Sequence, residues 1–423
     1  MRNSPFWWIL LGFMILLDFY FFQSLKVVSQ SASHRTKIII YTIYWTISAG
    51  AILLLILLPY LHFEKQARFT KSTIFAILAG LFFAKLVASF FFIIDDLRRL
   101  IQWVAGKLFF NKDKGEVAAA GEYISRSVFL SWAGMLFGGG LFGTLIYGFR
   151  NKYNYQVKRI PLVYDHLPAG FKGIKIVQIS DIHSGSLNNK AAVMKGVQKI
   201  LDEKPDLILF TGDLVNNLAD EMDDYMDVFS RLKAPMGVYS TLGNHDYGDY
   251  TQFPTAAEKT ANHERLKAIH AELGWRLLIN EHVVLERGGD KIALIGIENW
   301  SSKARFPKYG DMPRAYAGSE NLPFKILMSH DPSHWQAEVV TKYQDVDLML
   351  SGHTHGMQFG VEIPGFKWSP VQYVYKEWAG LYEQEKAEGG TRSQKLYVNR
   401  GFGFLGYPGR VGILPEITVL ELS

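Results

Sequence analysis

Long apolar stretches occupy the first third of the chain. Four of them, at residues 5–22, 38–61, 72–94 and 127–148, each approach the roughly 20 residues that a helix needs to cross a bilayer. None shows the polar stripe expected of a helix that packs on the surface of a soluble domain. The pattern therefore predicts a four-helix transmembrane module over residues 1–150. Four buried helices of a soluble domain are the alternative interpretation.

From residue 151 onward, short β-branched runs alternate with polar segments. Residues 190–203 and 255–273 have helical periodicity. Six runs have the composition of buried strands: 174–180, 206–212, 237–244, 291–297, 324–330 and 346–353. This alternation predicts an α/β domain over residues 151–423, with helices outside the sheets.

Two ionisable residues, Asp18 and Lys85, lie inside the first and third apolar stretches. A charge at that depth is costly and normally faces a partner or a cavity. Both residues lie at similar depths in helices that run in the same direction, so we expect a structural ion pair between them. An ion or proton path through the helices is the alternative.

The composition of the chain limits the kinds of partner and of metal site that we expect. A net charge of +5 is mild for 423 residues and gives no reason to expect a nucleic-acid partner. The absence of cysteine excludes disulfides, thiolate metal sites and cysteine nucleophiles. Any metal site must therefore use His, Asp, Glu or Asn.

Polar side chains cluster where five of the predicted strands end. The clusters read "SDIH", "TGDLVNN", "GNHDY", "MSHDP" and "SGHTH". On their own, His353 and His355 of the last cluster would fit an ordinary glycine-rich turn. In an α/β sheet, however, the carboxyl ends of the strands converge on one edge and form the ligand site. Taken together, the five clusters predict a metal site at that edge.

The set D-x-H, G-D, G-N-H-D, a later H and G-H-T-H resembles the signature of calcineurin-like metallophosphoesterases. The likeness is greatest to their membrane-associated bacterial branch, through "YVNRGFG" and the closing "PEITVLEL", and it extends over residues 159–423. It implies a two-sheet α/β/β/α sandwich and two divalent cations, of Mn, Fe or Zn. One implied ligand set is Asp181, His183, Asp213 and His355; the other is Asp213, Asn244, His330 and His353.

Four further residues are candidates for the chemistry. His245 is not needed as a ligand, so we expect it to act as a general acid, with Asp246 orienting it and raising its pKa. A structural histidine is the alternative. Arg400 and Arg410 lie in glycine-rich surroundings, and either is a candidate for a bidentate phosphate contact or for a structural role.

Two departures from the family pattern bear on the substrate. The chain continues G-D as "GDLVNN", without the Asp-Arg-Gly element of phosphoprotein phosphatases, which argues against protein phosphatase activity. Met357 stands where the branch usually has the second glycine of G-H-T-H-G-G-Q, so we expect an altered pocket wall. The aromatic-rich segment 364–382 is open to three interpretations: a cover for the site, a contact with the bilayer interface, or a packed surface loop.

The sequence thus predicts a membrane-anchored phosphoesterase that resembles UDP-2,3-diacylglucosamine pyrophosphatases and hydrolyses a lipid-linked phosphodiester or pyrophosphate. One alternative is a tethered phosphodiesterase for soluble nucleotides. Another is an inactive metal-binding domain that regulates a membrane bundle. The expected location is a bacterial inner membrane, and Arg98 and Arg99 favour an extracytoplasmic C-terminal domain.

Overall fold

Two compact units make up the protein. The computed structural model describes residues 5–58, 60, 68–109, 126–385 and 393–423 and divides into Met1–Tyr147 and Gly148–Ser423. The division lies close to the boundary predicted at residue 150. Two residues at the predicted end of the second span, 59 and 61, lie outside the described residues.

Four helices form the N-terminal part, and each is long and apolar enough to cross a membrane, which confirms the four predicted spans. They are α1 (Pro5–Val28), α2 (His34–Leu57), α3 (Arg68–Phe109) and α4 (Arg126–Gly148). At 42 residues, α3 is much longer than the stretch predicted from hydrophobicity. Its continuation begins with charged residues: Arg98 pairs with Asp95, three residues earlier, at 2.7 Å.

The predicted ion pair between Asp18 of α1 and Lys85 of α3 is present and buried. Two side chains of α2 complete its surroundings. Ser48 accepts a hydrogen bond from Lys85 (2.8 Å) and donates one to Asp18 (3.1 Å), and Tyr44 donates to Asp18 (3.2 Å). The Lys85 ammonium also lies 5.0 Å from the centre of the Tyr44 ring. Because these partners come from α1, α2 and α3, the pair joins three helices.

The C-terminal unit contains fourteen strands and five α-helices among the residues described. The helices are α5 (Lys190–Asp202), α6 (Met226–Phe229), α7 (Ala256–Glu272), α8 (Met312–Tyr316) and α9 (Val340–Lys342). The first seven strands are β1 (Gln156–Leu162), β2 (Ile174–Ile179), β3 (Leu207–Phe210), β4 (Val238–Ser240), β5 (Arg276–Leu277), β6 (Glu281–Arg287) and β7 (Asp290–Gly296). The others are β8 (Lys325–Met328), β9 (Leu348–Ser351), β10 (Val361–Ile363), β11 (Phe366–Trp368), β12 (Gly380–Gln384), β13 (Gln394–Val398) and β14 (Glu416–Leu422).

The strands form two six-stranded sheets and one separate hairpin. The first sheet has the order β1-β14-β2-β3-β4-β5, the second β12-β13-β9-β8-β7-β6, and β10 pairs only with β11. Residues of both sheets share one core, including Ile176 and Leu209 of the first and Leu294 and Ile326 of the second. A second cluster, which includes Trp335, covers the other face of the second sheet. This confirms the α/β fold with two packed sheets.

The six predicted strands correspond to β2, β3, β4, β7, β8 and β9. Within their sheets β2, β3 and β4 are parallel, as are β7, β8 and β9. Parallel strands end at the same edge of their sheet, so the loops after β2, β3 and β4 adjoin one another. The loops after β8 and β9 do the same in the second sheet.

Candidate metal centre

Six of the predicted ligands form two clusters at the strand ends. Each cluster has donor atoms within 4.8 Å of one another: Asp181, His183 and His355 in one, and Asp213, His330 and His353 in the other. Asp213 joins the clusters, because its Oδ2 lies 3.1 Å from His330 Nε2 and 3.5 Å from His183 Nε2. Asn244 belongs to the second cluster, with its Oδ1 2.7 Å from His353 Nδ1.

The donor atoms fit divalent cations. The Nε2 atoms of His183 and His355 lie 3.0 Å apart, so two imidazole nitrogens converge on one place. His330 donates from Nδ1 to the Thr211 carbonyl (2.7 Å), which leaves its buried Nε2 facing the Asp213 carboxylate at 3.1 Å. An imidazole that is fixed through one nitrogen and presents the other beside a carboxylate is the usual arrangement of a metal ligand.

The loop backbone that presents these side chains is strained. Asp181, His183, Asp213, His353 and His355 all have left-handed φ angles between 48° and 72°. Such angles cost a non-glycine residue on the order of 1–2 kcal/mol each. Two glycines permit the close packing beside them. A Cβ at Gly243 would lie 2.2 Å from Asp213 Oδ1, and one at Gly352 would lie 2.2 Å from Asp181 Oδ2.

Burial and charge set the protonation of the cluster. Burial lowers the pKa of His183 to about 3, which leaves a neutral imidazole with a lone pair at neutral pH. Burial alone would raise the pKa of Asp213, but the neighbouring His330 and His245 hold it well below its usual value. Burial opposes the charged form of His330 as well, yet Asp213 raises the pKa of that imidazole to about 10. Asp213 is therefore an anion at neutral pH, and its charge determines the protonation of His330.

One partner of the ligands was not anticipated from the sequence. The Nε2 of His353 lies 2.8 Å from the Tyr375 hydroxyl, which in turn donates to Asp331 Oδ2 (3.3 Å). Because Tyr375 donates to the carboxylate, it accepts from His353 Nε2, and His353 Nδ1 is left to bind a cation beside Asn244. Asp331 also caps the following turn by accepting from Ser333 N (2.8 Å). Tyr375 lies 22 residues from its partner, in the aromatic-rich segment 364–382 that the sequence left open as a cover for the site, but nothing in that segment distinguishes it from the neighbouring aromatic residues.

We expect Tyr375→Phe to weaken metal binding. The substitution keeps the ring but leaves His353 Nε2–H without its acceptor, and loss of such a partner typically costs about 10–100-fold in metal affinity. Titration of the purified protein with Mn²⁺ measures this effect. Tyr373→Phe removes an exposed hydroxyl two residues away and is the matched control, with no expected change. Equal affinities in both variants would contradict this role for Tyr375.

Asp246 does not orient His245, which corrects that prediction. Its carboxylate accepts backbone N–H groups of residues 213, 214, 215 and 243 at 2.8–3.3 Å, and so fixes the loop after β3. Burial, followed by the charge of Asp213, raises the pKa of Asp246 to about 7. The His245 ring is held instead by the Asn216 carbonyl, 2.8 Å from its Nδ1. A carbonyl only accepts, so Nδ1 carries the hydrogen and Nε2 remains available.

Arg400 and Arg410 are both buried and hydrogen-bonded within the protein, which favours the structural role over the phosphate contact that the sequence also left open. Arg400 pairs with Glu416 and with Glu362 (2.7 Å). Arg410 donates to backbone carbonyls of residues 355, 400, 401 and 403, and its Nη2 lies 3.3 Å from His355 Nδ1. Arg410 thus supports the loop behind a predicted ligand. Glycines near an arginine are a weak indication of phosphate binding, because they reflect the backbone conformation and do not identify the partner of the guanidinium group.

A cavity of about 390 Å³ opens over the two clusters. His183, Asp213, Asn244, His245, His353 and His355 contribute to its lining. Two cations that the sequence did not single out, Lys303 and Arg305, also line it. Neither forms an ion pair with a carboxylate in the part of the chain that the structure describes. The remaining wall is largely apolar and includes Met357, Val371, Val374 and Leu405.

Met357 occupies a backbone position suited to glycine. Its φ is 55° and its side chain is 58% exposed at the cavity wall. We expect Met357→Gly to raise the free energy of unfolding by about 1 kcal/mol, because glycine adopts this conformation without the Cβ clash. Met357→Ala removes the same side chain but keeps the Cβ, so it should give no such gain in denaturant titrations. Equal stability of the two variants would show that the left-handed backbone is not the cause.

Comparison with known proteins identifies relatives for both parts of the chain. Residues 1–152 match the family "Probable Calcineurin-like phosphoesterase, transmembrane domain", and residues 174–357 match "Calcineurin-like phosphoesterase". The uncharacterized metallophosphoesterase YkuE of Bacillus subtilis is 34% identical over 61% of this chain and 82% of its own length. The UDP-2,3-diacylglucosamine pyrophosphatase LpxG of Chlamydia trachomatis is 27% identical over 58% of this chain and 81% of its own.

A transmembrane protein with a metallophosphoesterase domain from Danio rerio is 28% identical over 63% of this chain. The present chain covers 57% of that relative's length.

Proposed function

Because this chain belongs to the calcineurin-like metallophosphoesterase family, we propose that it is a two-metal hydrolase of a lipid-linked phosphodiester or pyrophosphate. The family consists of hydrolases of phosphoester bonds, and the four spans make this member an integral membrane protein. The proposal concerns the number of cations, the substrate and the residues that act on it.

The observation that carries the proposal is the composition of the cavity. One side is formed by the two Asp/His clusters, and the other by apolar side chains that include Met357 and Val374. Both of these are well over half exposed, so the apolar wall continues onto the surface. A phosphate group fits the first side, and Lys303 and Arg305 supply positive charge for a second anionic group. An acyl-bearing substrate fits the second side better than a nucleotide does. The relative LpxG, a pyrophosphatase of a diacylated sugar nucleotide by its name, supports the same class.

The chain's own residues have separate tasks in this reaction. Asp181, His183 and His355 would hold one cation, and Asn244, His330 and His353 the other, with Asp213 shared. Divalent cations so placed supply Lewis acidity at phosphoryl oxygens and lower the pKa of water towards neutrality. The Asn216 carbonyl holds His245 through Nδ1–H, so that protonated Nε2 gives its proton to the leaving oxygen.

The role of His245 is testable through the leaving group. We expect His245→Asn to lower kcat by about 10²-fold or more for an alkyl phosphodiester, whose alkoxide needs a proton to leave. For a p-nitrophenyl ester the loss should be much smaller, because that leaving group departs as a stable anion. His282→Asn is the matched control, since its Nδ1 also bonds to a backbone carbonyl (Ala315, 3.0 Å) outside the cavity. An equal loss with both esters would argue for a purely structural histidine.

The substrate class is tested by direct comparison. The full chain, loaded with Mn²⁺ in detergent micelles, should turn over a lipid-linked pyrophosphate with a higher kcat/KM than a soluble nucleotide pyrophosphate or cyclic nucleotide. A preference for the soluble compounds would overturn the lipid assignment and leave phosphoester chemistry intact. No turnover of any phosphoester, with cations bound, would point instead to a regulatory metal-binding domain.

We also propose a bacterial inner membrane with the C-terminal unit on the extracytoplasmic side. Arg98 and Arg99 near the end of the third span support this orientation through the positive-inside rule.

A further inference from the structure

The hairpin β10–β11 has its apolar face turned away from the protein. In an antiparallel pair, directly opposed residues lie on the same face. The pairs Val361–Trp368 and Ile363–Phe366 therefore form one face, and Glu362–Lys367 the other. On the apolar face Val361, Ile363 and Phe366 are 43%, 58% and 54% exposed.

The polar face of the hairpin is the one attached to the protein. Glu362 accepts hydrogen bonds from Lys158 (3.2 Å) and Arg400 (2.7 Å). Lys367 donates to the Ala379 carbonyl and lies 4.9 Å from the centre of the Trp378 ring. These contacts fix the hairpin in an orientation opposite to that of an ordinary surface strand, whose apolar side faces the core.

The exposed apolar surface extends beyond the hairpin to the cavity. Among described residues of the C-terminal unit, seven of the eleven large exposed apolar side chains lie between residues 357 and 381. They include Tyr373 and Val374 next to the hairpin, and Met357 and Val374 also line the cavity over the ligands. A continuous apolar surface of this kind marks an interaction site.

The chain connectivity indicates what covers this surface. Gly148 is the last residue of the fourth candidate span, so it lies at the edge of any bilayer that α4 crosses. Its carbonyl accepts from Arg410 N (3.0 Å), and the next residue, Val411, accepts from Gly360 N (2.9 Å), directly before the hairpin. Two backbone hydrogen bonds thus connect Gly148, through Arg410 and Val411, to the residue directly before the hairpin. Trp368 of the hairpin and Tyr373 beside the hairpin are residue types enriched at the interface between lipid and water.

We propose that the face formed by Val361, Ile363, Phe366 and Trp368, together with Tyr373 and Val374, contacts the surface of the lipid bilayer. This contact places the apolar edge of the cavity at the membrane. A lipid-linked substrate then reaches the Asp/His clusters with its phosphate while its acyl chains stay in the bilayer.

The test measures lipid contact directly and does not depend on the proposed reaction. The chain lacks cysteine, so single cysteines in the full-length protein can carry a nitroxide label in lipid nanodiscs. Val361→Cys and Ile363→Cys report on the face, and Val284→Cys is the matched control, because Val284 and Val361 are both 43% exposed. We expect labels at 361 and 363 to collide more with oxygen, which concentrates in lipid, than with an aqueous nickel chelate. The label at 284 should show the reverse.

Three results would overturn the proposal. The first is equal aqueous access at all three positions. The second is spin–spin broadening between copies that disappears on dilution with unlabelled protein, which would identify a second copy of the chain as the occupant. The third is protection that appears only when a lipid-linked substrate is added in detergent, which would make the face part of the substrate pocket.

A functional measurement adds to the labels and rests on the proposed function. The double variant Ile363→Asp/Phe366→Asp should lose about tenfold or more in turnover of a lipid-linked substrate embedded in vesicles, as expected for lost burial of large apolar side chains. Turnover of a water-soluble aryl phosphodiester should stay unchanged, because neither residue lines the cavity. An equal loss on both substrates would indicate damaged folding and contradict a membrane-specific role, whatever the natural substrate is.

Discussion

Replacing Asp213 with asparagine is expected to abolish activity and to remove bound metal. The side chain keeps its size, but the anion that both clusters share becomes neutral. Its Oδ1 also accepts from the His245 backbone N–H (2.9 Å), so the change affects the residue proposed as the acid. We expect kcat/KM to fall by about 10³-fold or more, since the loss of a partner outside the ligand set already costs about 10–100-fold. Activity assays and metal analysis of the same preparation measure both effects.

Asp206→Asn is a suitable control for Asp213→Asn. Asp206 directly precedes β3, whereas Asp213 follows it, and the Asp206 carboxylate accepts a structural bond from Lys175 N (2.8 Å) at the end of the strand away from the cavity. This variant should keep its metal and its activity. Full activity of Asp213→Asn with one cation or none would exclude the two-metal mechanism.

Replacing Lys85 with methionine is expected to destabilise the membrane helices by about 3 kcal/mol, because it leaves the Asp18 carboxylate buried without its counter-ion. The Ser48 and Tyr44 hydroxyls still donate to that carboxylate, but they carry no compensating charge. Thermal unfolding of the detergent-solubilised protein, followed by helical circular dichroism, measures the loss.

The double variant Asp18→Asn/Lys85→Met separates charge from packing. It removes both charges, so most of the stability should return. Asp96→Asn tests the exposed ion pair between Asp96 and Arg99 in the same helix and should cost less than about 1 kcal/mol. A double variant as unstable as Lys85→Met would show that the two residues do not act as a pair. An ion path would instead reveal itself as charge movement across proteoliposomes.

Six parallel strands and six candidate metal-binding residues could be predicted because their signals are local. A buried parallel strand is a short apolar run, and the ligand follows it within a few residues, as Asp213 follows β3. The edge strands β1, β5, β6 and β12 escaped prediction because their exposed faces dilute the apolar pattern. The hairpin β10–β11 was not predicted either, because its apolar side chains face away from the protein and its polar side chains face the protein.

Second partners of the ligands could not be predicted because they depend on contacts across the fold. The sequence places Asp246 beside His245, yet in the short helical turn that the two share the side chains diverge and a carbonyl takes the role given to the carboxylate. Tyr375 and Lys303 reach the cavity from loops with no motif. The sequence left the role of Arg400 and Arg410 open because only the tertiary structure shows that Glu416 and backbone carbonyls are their partners.

The left-handed backbone at five ligands has a consequence for how the protein tolerates metal loss. These turns are held in costly conformations by hydrogen bonds such as those from Gly243 N and Leu214 N to Asp246. Without cations, the clustered carboxylate and imidazole groups lose the attraction to the metal that offsets the cost of the left-handed backbone. Amide hydrogen exchange in chelator should therefore rise first in the loops after β2, β3 and β9, while the buried strands remain protected. Without cations, the loops that carry the candidate ligands would then be the least stable part of the domain.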